Sequence, residues 1–158
     1  MKRIVLVDDH ELFTEGLQQM LEANGQIEVI TRLNNGLAAV EQVPKLQPDL
    51  LLMDLDMPIM DGLTACQQIH AKLPELPIVI LSMHSEKSIV QKVMQAGAKG
   101  YILKNSSRQE FLHGIQSVME GVKFYSSLLT EQLIQPQTVE TNPPISLKLL
   151  ASLSEREI

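Results

Sequence analysis

The chain has 158 residues, of which 44% are hydrophobic and 3% aromatic, and 13 Lys and Arg against 19 Asp and Glu give a formal net charge of −6. This length and apolar fraction predict one packed domain, and the acidic balance argues against DNA or an anionic membrane as a direct partner of these residues. Because Cys66 is the only cysteine and no apolar stretch reaches the length of a membrane span, an internal disulfide is excluded and a cytoplasmic protein is expected.

Apolar runs and amphipathic stretches alternate along the first part of the chain. Short apolar runs predict strands, and apolar residues at helical spacing predict helices. The predicted strands are Ile4–Val7, Ile27–Thr31, Leu50–Met53, Ile78–Leu81 and Tyr101–Leu103, and the predicted helices are 11–24, 36–43 (broken by Pro44), 61–72, 86–96 and 107–120 (capped by Ser106). This alternation predicts an α/β fold with a parallel sheet covered by helices on both faces.

The apolar character of each run predicts its place in the sheet. Runs that begin at Ile4, Leu50 and Ile78 are continuously apolar and are expected at the centre, whereas the alternating run at Ile27 and the short run at Tyr101 are expected at the edges. With right-handed crossovers, this predicts a five-stranded, doubly wound sheet of order 2-1-3-4-5. In such a sheet the winding direction of the chain reverses between the first and third strands. Ligands bind at the carboxyl ends of the strands at that point.

Four of the six aspartates form two pairs at the ends of predicted central strands. Asp8 and Asp9 follow the first strand, and Asp54 and Asp56 follow the third. Because these strand ends share one edge of the sheet, the carboxylates are expected to meet there and to need a cation. Taken alone, Asp8 and Asp9 also fit the N-cap of the next helix, and Asp61 is interpreted as the N-cap of its own helix.

The last part of the chain differs from the rest. Residues 1–122 are predicted to form the domain, and residues 123–150 are polar and contain prolines, which is typical of a linker, with a helix from Phe124 to Leu133 as one option. Ser154 and Glu157 form a capping box, the signature of a helix start. We therefore expect residues 151–158 to begin a further domain and the chain to be part of a longer protein.

Four stretches, in this order, resemble the receiver domains of two-component response regulators. They are Val7–His10, Met53–Gly62, Leu81–His84 and Gly97–Lys104. The final run, Leu153–Ile158, is similar to the opening of a LuxR-type helix-turn-helix domain, which narrows the resemblance to the NarL/FixJ subfamily of transcription regulators. The flavodoxin-like receiver fold of that family has the strand order predicted above.

The resemblance implies a phosphorylation site and a metal site. Asp54 is expected to accept a phosphoryl group from a partner histidine kinase, with Lys104 pairing first with its carboxylate and then with a phosphoryl oxygen. Asp9 and Asp54 are expected to bind Mg²⁺ directly, Asp8 through water and Asp56 through its backbone carbonyl. A carboxylate attacking a phosphoryl donor meets like charge, which is why such a cation is needed.

The resemblance also implies a switch. Ser82 is expected to donate its hydroxyl to the phosphoryl group, and Tyr101 to fill the void that this movement opens. Asp56 and His84 lie where the family tunes the lifetime of the phosphoryl group. His84 and His10 are otherwise interpreted as surface loop residues. Because Asn105 follows Lys104 where many members have proline, the geometry of that peptide bond stays open at this point.

The implied function is a phosphoacceptor switch without turnover on a metabolite. A homodimer on phosphorylation is expected, with DNA bound by the C-terminal domain rather than by these residues, and no membrane partner. Two alternatives are a receiver-like interaction module that works without phosphate and a haloacid-dehalogenase-like phosphatase using Asp54 and Asp56. The nucleophile of that phosphatase group normally ends the first strand, whereas Asp54 ends the third.

Overall fold

The structure is a computed structural model and describes residues 1–126 of the chain. The strands in this part are β1 (Lys2–Val7), β2 (Ile27–Leu33), β3 (Leu50–Asp54), β4 (Ile78–Ser82), β5 (Gly100–Leu103) and β6 (Phe124–Tyr125). The helices are α1 (Glu11–Glu22), α2 (Gly36–Leu46), α3 (Gly62–Lys72), α4 (Lys87–Gln95) and α5 (Arg108–Met119). Within residues 1–126, no helix is long and apolar enough to cross a bilayer.

All neighbouring strands of the sheet are parallel, in the order β2-β1-β3-β4-β5-β6. The predicted α/β fold and the order of the first five strands are confirmed. The prediction that the run at Tyr101 forms an edge is wrong, because β6 pairs with it. Phe124 therefore lies in a strand and not at the start of a helix, and the sheet extends past residue 122. The rest of the predicted linker, and residues 151–158, lie outside the described residues.

The alternation of side chains along the strands divides the core into two layers. In β1, Ile4 and Leu6 pack with the apolar faces of α1 and α5. Val5 and Val7 point to the opposite face and pack with α2, α3 and α4. Continuously apolar strands are therefore needed in the centre, because helices cover both faces.

Two predicted helix ends differ from the structure. Pro44 lies inside α2, which continues to Leu46, because a proline in the last turn removes only one helical hydrogen bond. The cap of α5 is Ser107, whose side chain accepts from the backbone N–H of Glu110, and not Ser106. The other predicted ends agree within the two residues by which such assignments ordinarily vary.

Candidate functional site

The carboxyl ends of β1, β3, β4 and β5 bring the predicted site residues to one edge of the sheet. Asp54 and Ser82 are the last residues of β3 and β4, and Asp8 and Lys104 directly follow β1 and β5. Asp54 pairs in register with Leu81, which precedes Ser82. Residues from distant parts of the chain therefore meet because parallel strands end at the same edge.

Four residues form what we call the acidic cluster: Asp8, Asp9, His10 and Asp54. One ligand atom from each lies within 4.8 Å of the others. Asp8 and Asp54 are buried, with 5% and 2% of their surface exposed, whereas Asp9 and His10 are exposed. The cluster thus has a buried floor of two carboxylates and an open mouth.

Lys104 is the cation that faces the floor of the acidic cluster. Its Nζ lies 2.9 Å from Asp8 Oδ2 and 3.3 Å from Asp54 Oδ2. The same ammonium lies 4.7 Å from the ring centroid of Phe13, a cation–π contact. One positive charge is shared between two carboxylates, so their charge is only partly compensated.

The ionisation of Asp54 reflects this balance. Burial, followed by the repulsion of Asp8, raises the pKa of Asp54 from its ordinary value of 3.8 to about 6, although Lys104 acts in the opposite direction. The carboxylate form of Asp54 is therefore less stable than that of an exposed aspartate. A further cation beside it would favour the ionised form.

The acidic cluster has the chemistry of a magnesium site. The Oδ2 atoms of Asp8 and Asp54 are buried and receive no aligned hydrogen bond from residues 1–126, although the Lys104 ammonium is close to both. Asp9 adds a third carboxylate at the mouth. Oxygen ligands and a partly hydrated position suit Mg²⁺, so these side chains fit that ion. The role of the Asp56 carbonyl as a ligand stays a prediction.

His10 is the residue of the cluster that the sequence interpretation left out. Its side chain is on the surface, as expected, but its Nδ1 lies 2.9 Å from Asp8 Oδ1 and 3.2 Å from Lys104 Nζ. Its backbone N–H also donates to Asp8 Oδ1. The only signal in the sequence was its position directly after Asp8 and Asp9.

His84 joins the other predicted site residues in one network. Its backbone N–H donates to Ser82 Oγ at 2.9 Å, and its carbonyl accepts from the Tyr101 hydroxyl at 2.8 Å. Its ring Nε2 lies 2.7 Å from Asp56 Oδ2. The Asp56 side chain therefore points to the β4–α4 loop. Because Tyr101 is fully buried, its ring already fills the space beside α4, and burial raises the pKa of its hydroxyl.

The β3–α3 loop follows closely around Asp54. A Cβ on Gly62 would overlap the carbonyl of Asp54, so only glycine allows this approach. Asp61 caps α3 by accepting from the backbone N–H of Thr64, as predicted. Ile59 has a φ of 71°, the left-handed region that a β-branched residue rarely adopts.

The Lys104–Asn105 peptide bond, like all others in residues 1–126, is trans.

Three comparisons place the chain among known proteins. The sequence profile described as "Response regulator receiver domain" matches residues 4–116. Response regulator UvrY of Escherichia coli K12 is 36% identical over 162 residues, which cover 100% of this chain and 71% of that protein. The transcriptional regulatory protein DegU of Brevibacillus brevis is 34% identical over 84% of this chain. The chain spans 56% of the length of DegU.

A solved structure supports the same assignment. The crystal structure of a two-component response regulator of the LuxR family from Aurantimonas sp. SI85-9A1 superposes with a TM-score of 0.81 at 28% sequence identity. The alignment covers 84% of this chain and 95% of that one. The chain belongs to the response regulator receiver domain family and is of the LuxR/NarL type.

Proposed function

We propose that this protein is a phosphorylation-controlled switch in which Asp54 accepts a phosphoryl group from a histidine kinase. The observation that carries the proposal is the pairing of a buried carboxylate with a largely buried ammonium. Asp54 Oδ2 lies 3.3 Å from Lys104 Nζ, at the strand edge where ligands bind in such sheets. No turnover on a metabolite is proposed, and the chain catalyses only its own modification.

Each site residue has a role that its surroundings support. Ionised Asp54 is the nucleophile, and Lys104 follows the negative charge from the carboxylate to a phosphoryl oxygen. Asp8, Asp9 and Asp54 would hold Mg²⁺, with the Asp56 carbonyl completing the protein ligands. The ion would neutralise the negative charge that otherwise repels the phosphoryl donor. The Ser82 oxygen accepts from the His84 N–H, and its hydroxyl is also hydrogen-bonded to the Tyr101 side chain. The Ser82 proton would therefore exchange Tyr101 for a phosphoryl oxygen.

The contacts of His84 supply a route for the switch. A movement of Ser82 toward the phosphoryl group acts on the backbone N–H of His84, whose carbonyl is bonded to Tyr101. The readout is therefore a rearrangement of the β4–α4 loop and of α4. The Asp56–His84 pair lies across two loops of the site, which supports a role in setting the lifetime of the phosphoryl group.

The wider function follows from the family. We propose that phosphorylation promotes a homodimer and that a C-terminal LuxR-type domain binds DNA, so that the full protein controls transcription in the cytoplasm. Two-fold protein symmetry suits paired DNA half-sites. The net charge of −6 supports the proposal that DNA is bound by the C-terminal domain and not by the residues of this chain.

The proposal is tested by intact-mass measurement after incubation with Mg²⁺ and acetyl phosphate. The wild-type chain should gain one phosphoryl group, and Asp54→Asn should gain none. Asp56→Asn is the matched control, because it removes a neighbouring carboxylate whose side chain contacts His84 and keeps the backbone carbonyl; it should still be modified, with a changed lifetime of the phosphoryl group. A wild-type chain that stays unmodified at high donor concentration contradicts the proposal.

A further inference from the structure

The turn that carries Lys104 is held from both sides of β5. On the β4 side, the Lys104 N–H donates to the carbonyl of Ser82 at 2.8 Å. On the other side, the Leu103 N–H donates to the hydroxyl oxygen of Ser126 at 2.8 Å, in a buried bond. Because β6 has only two residues, a side-chain oxygen here takes the place that a backbone carbonyl has in a regular ladder.

Ser126 also contacts the far end of the same turn. Its hydroxyl lies 3.0 Å from the hydroxyl of Ser106, whose N–H donates to the Leu103 carbonyl. The backbone N–H of Ser126 donates to the carbonyl of Tyr101 at 3.0 Å. Ser126 is only 1% exposed, so removal of its hydroxyl leaves the buried N–H of Leu103 without that acceptor.

We infer that Ser126 is a positioning residue for Lys104, and that the docking of residues 124–126 on β5 is coupled to occupancy of the Asp54 site. The role of Lys104 in this inference rests on the proposed function. Ser126 fixes both ends of the turn from which the Lys104 side chain reaches Asp8 and Asp54. Group transfer is sensitive to small displacements of a charged side chain, so a looser turn weakens the site.

The coupling acts in both directions. If docked residues 124–126 favour the position of Lys104 that binds a phosphoryl group, a phosphoryl group must favour the docked state by the same free energy. Residues 124–126 lead from the sheet to the rest of the chain. The inference therefore gives the site a second route to the C-terminal part, besides the one through Ser82 and α4.

The first test compares variants of the full 158-residue chain. At saturating acetyl phosphate and Mg²⁺, Ser126→Ala should be phosphorylated about tenfold more slowly, and Ser126→Thr, which keeps the hydroxyl, should recover most of the rate. Val118→Ala is the control for lost stability, because Val118 is buried where α5 packs on Gly100, at the opposite end of β5 from Lys104. It should stay within about twofold of the wild type. Equal rates for Ser126→Ala and Val118→Ala overturn the positioning role.

The second test measures amide hydrogen exchange. Without any ligand, Ser126→Ala should increase exchange at the Lys104 amide more than Val118→Ala does, and equal increases overturn the inference. In the wild type, beryllofluoride with Mg²⁺ should slow exchange at the amides of Phe124 and Ser126, and this effect should be lost in Lys104→Ala. Bound beryllofluoride without that protection overturns the coupling. Failure of beryllofluoride to bind at all contradicts the proposed function instead, and the ligand-free comparison still decides the positioning role.

Discussion

The ionisation of Asp54 makes the stability of the fold depend on pH. The pKa of Asp54 is raised to about 6, so ionisation of this carboxyl opposes folding. Its stabilising contribution is complete below the ordinary value of 3.8 and is lost as the pH rises through 6. At pH 7.5 and without Mg²⁺, Asp54→Asn should therefore raise the free energy of unfolding by about 1–3 kcal/mol. Urea unfolding at pH 7.5 and near pH 4 measures the effect, and an equal difference at both pH values contradicts it.

Magnesium should stabilise the folded chain through the same carboxylates. A ligand that binds only the folded state adds about 1.4 kcal/mol at ten times its dissociation constant, so Mg²⁺ should raise the melting temperature and EDTA should reverse the rise. Asp9→Asn should lose most of this response. Asp56→Asn, whose side chain contacts His84, should keep it. An equal loss in both variants would mean that general screening, and not the acidic cluster, carries the effect.

At the scale of elements, the β3–α3 loop holds a strained residue. Ile59 has a φ of 71° and is 76% exposed, so its side chain contributes little packing while its backbone lies in an unfavourable region. Ile59→Gly should raise the free energy of unfolding by about 1 kcal/mol, as measured by urea titration. Val122→Gly is the matched control, because Val122 is exposed at an ordinary φ, and it should destabilise the chain. If both changes destabilise to the same degree, the loop is not strained.

Strands and helices were predictable from the sequence where their burial alone determines the pattern of apolar residues. The strands at Ile4, Leu50 and Ile78 are continuously apolar because helices cover both of their faces, and this pattern is readable in the chain. The strand β6 has two residues and therefore no period, and it is defined by its pairing with β5. The prediction that Pro44 breaks the second helix is wrong for a related reason. Packing of α2 on the sheet outweighs the loss of one hydrogen bond, and the local sequence around Pro44 does not show that packing.

The candidate site divides in the same way. Asp8 and Asp54 were predictable because the ends of neighbouring strands in a parallel sheet lie at one edge, whereas Lys104 was indicated by the family resemblance. The place of His10 depends on how the β1–α1 loop turns back on Asp8. The contacts of His84 and Ser126 depend on ladder geometry between segments far apart in the chain. Such contacts use ordinary polar residues, which carry no distinctive pattern in a sequence.

Residues 1–126 form a sheet between two helical layers, and Cys66 reports on the integrity of this domain. Cys66 is fully buried in the α2–α3–α4 layer, where burial raises the pKa of its thiol to about 11. Because the thiolate is the reactive form, a thiol reagent should modify the chain only when it opens. Labelling at pH 8 should be at least about a thousandfold slower in the folded chain than in urea, and Asp54→Asn should slow it further by stabilising the fold. Rapid stoichiometric labelling of the native protein would mean that the α3–α4 side of the core opens independently of global unfolding.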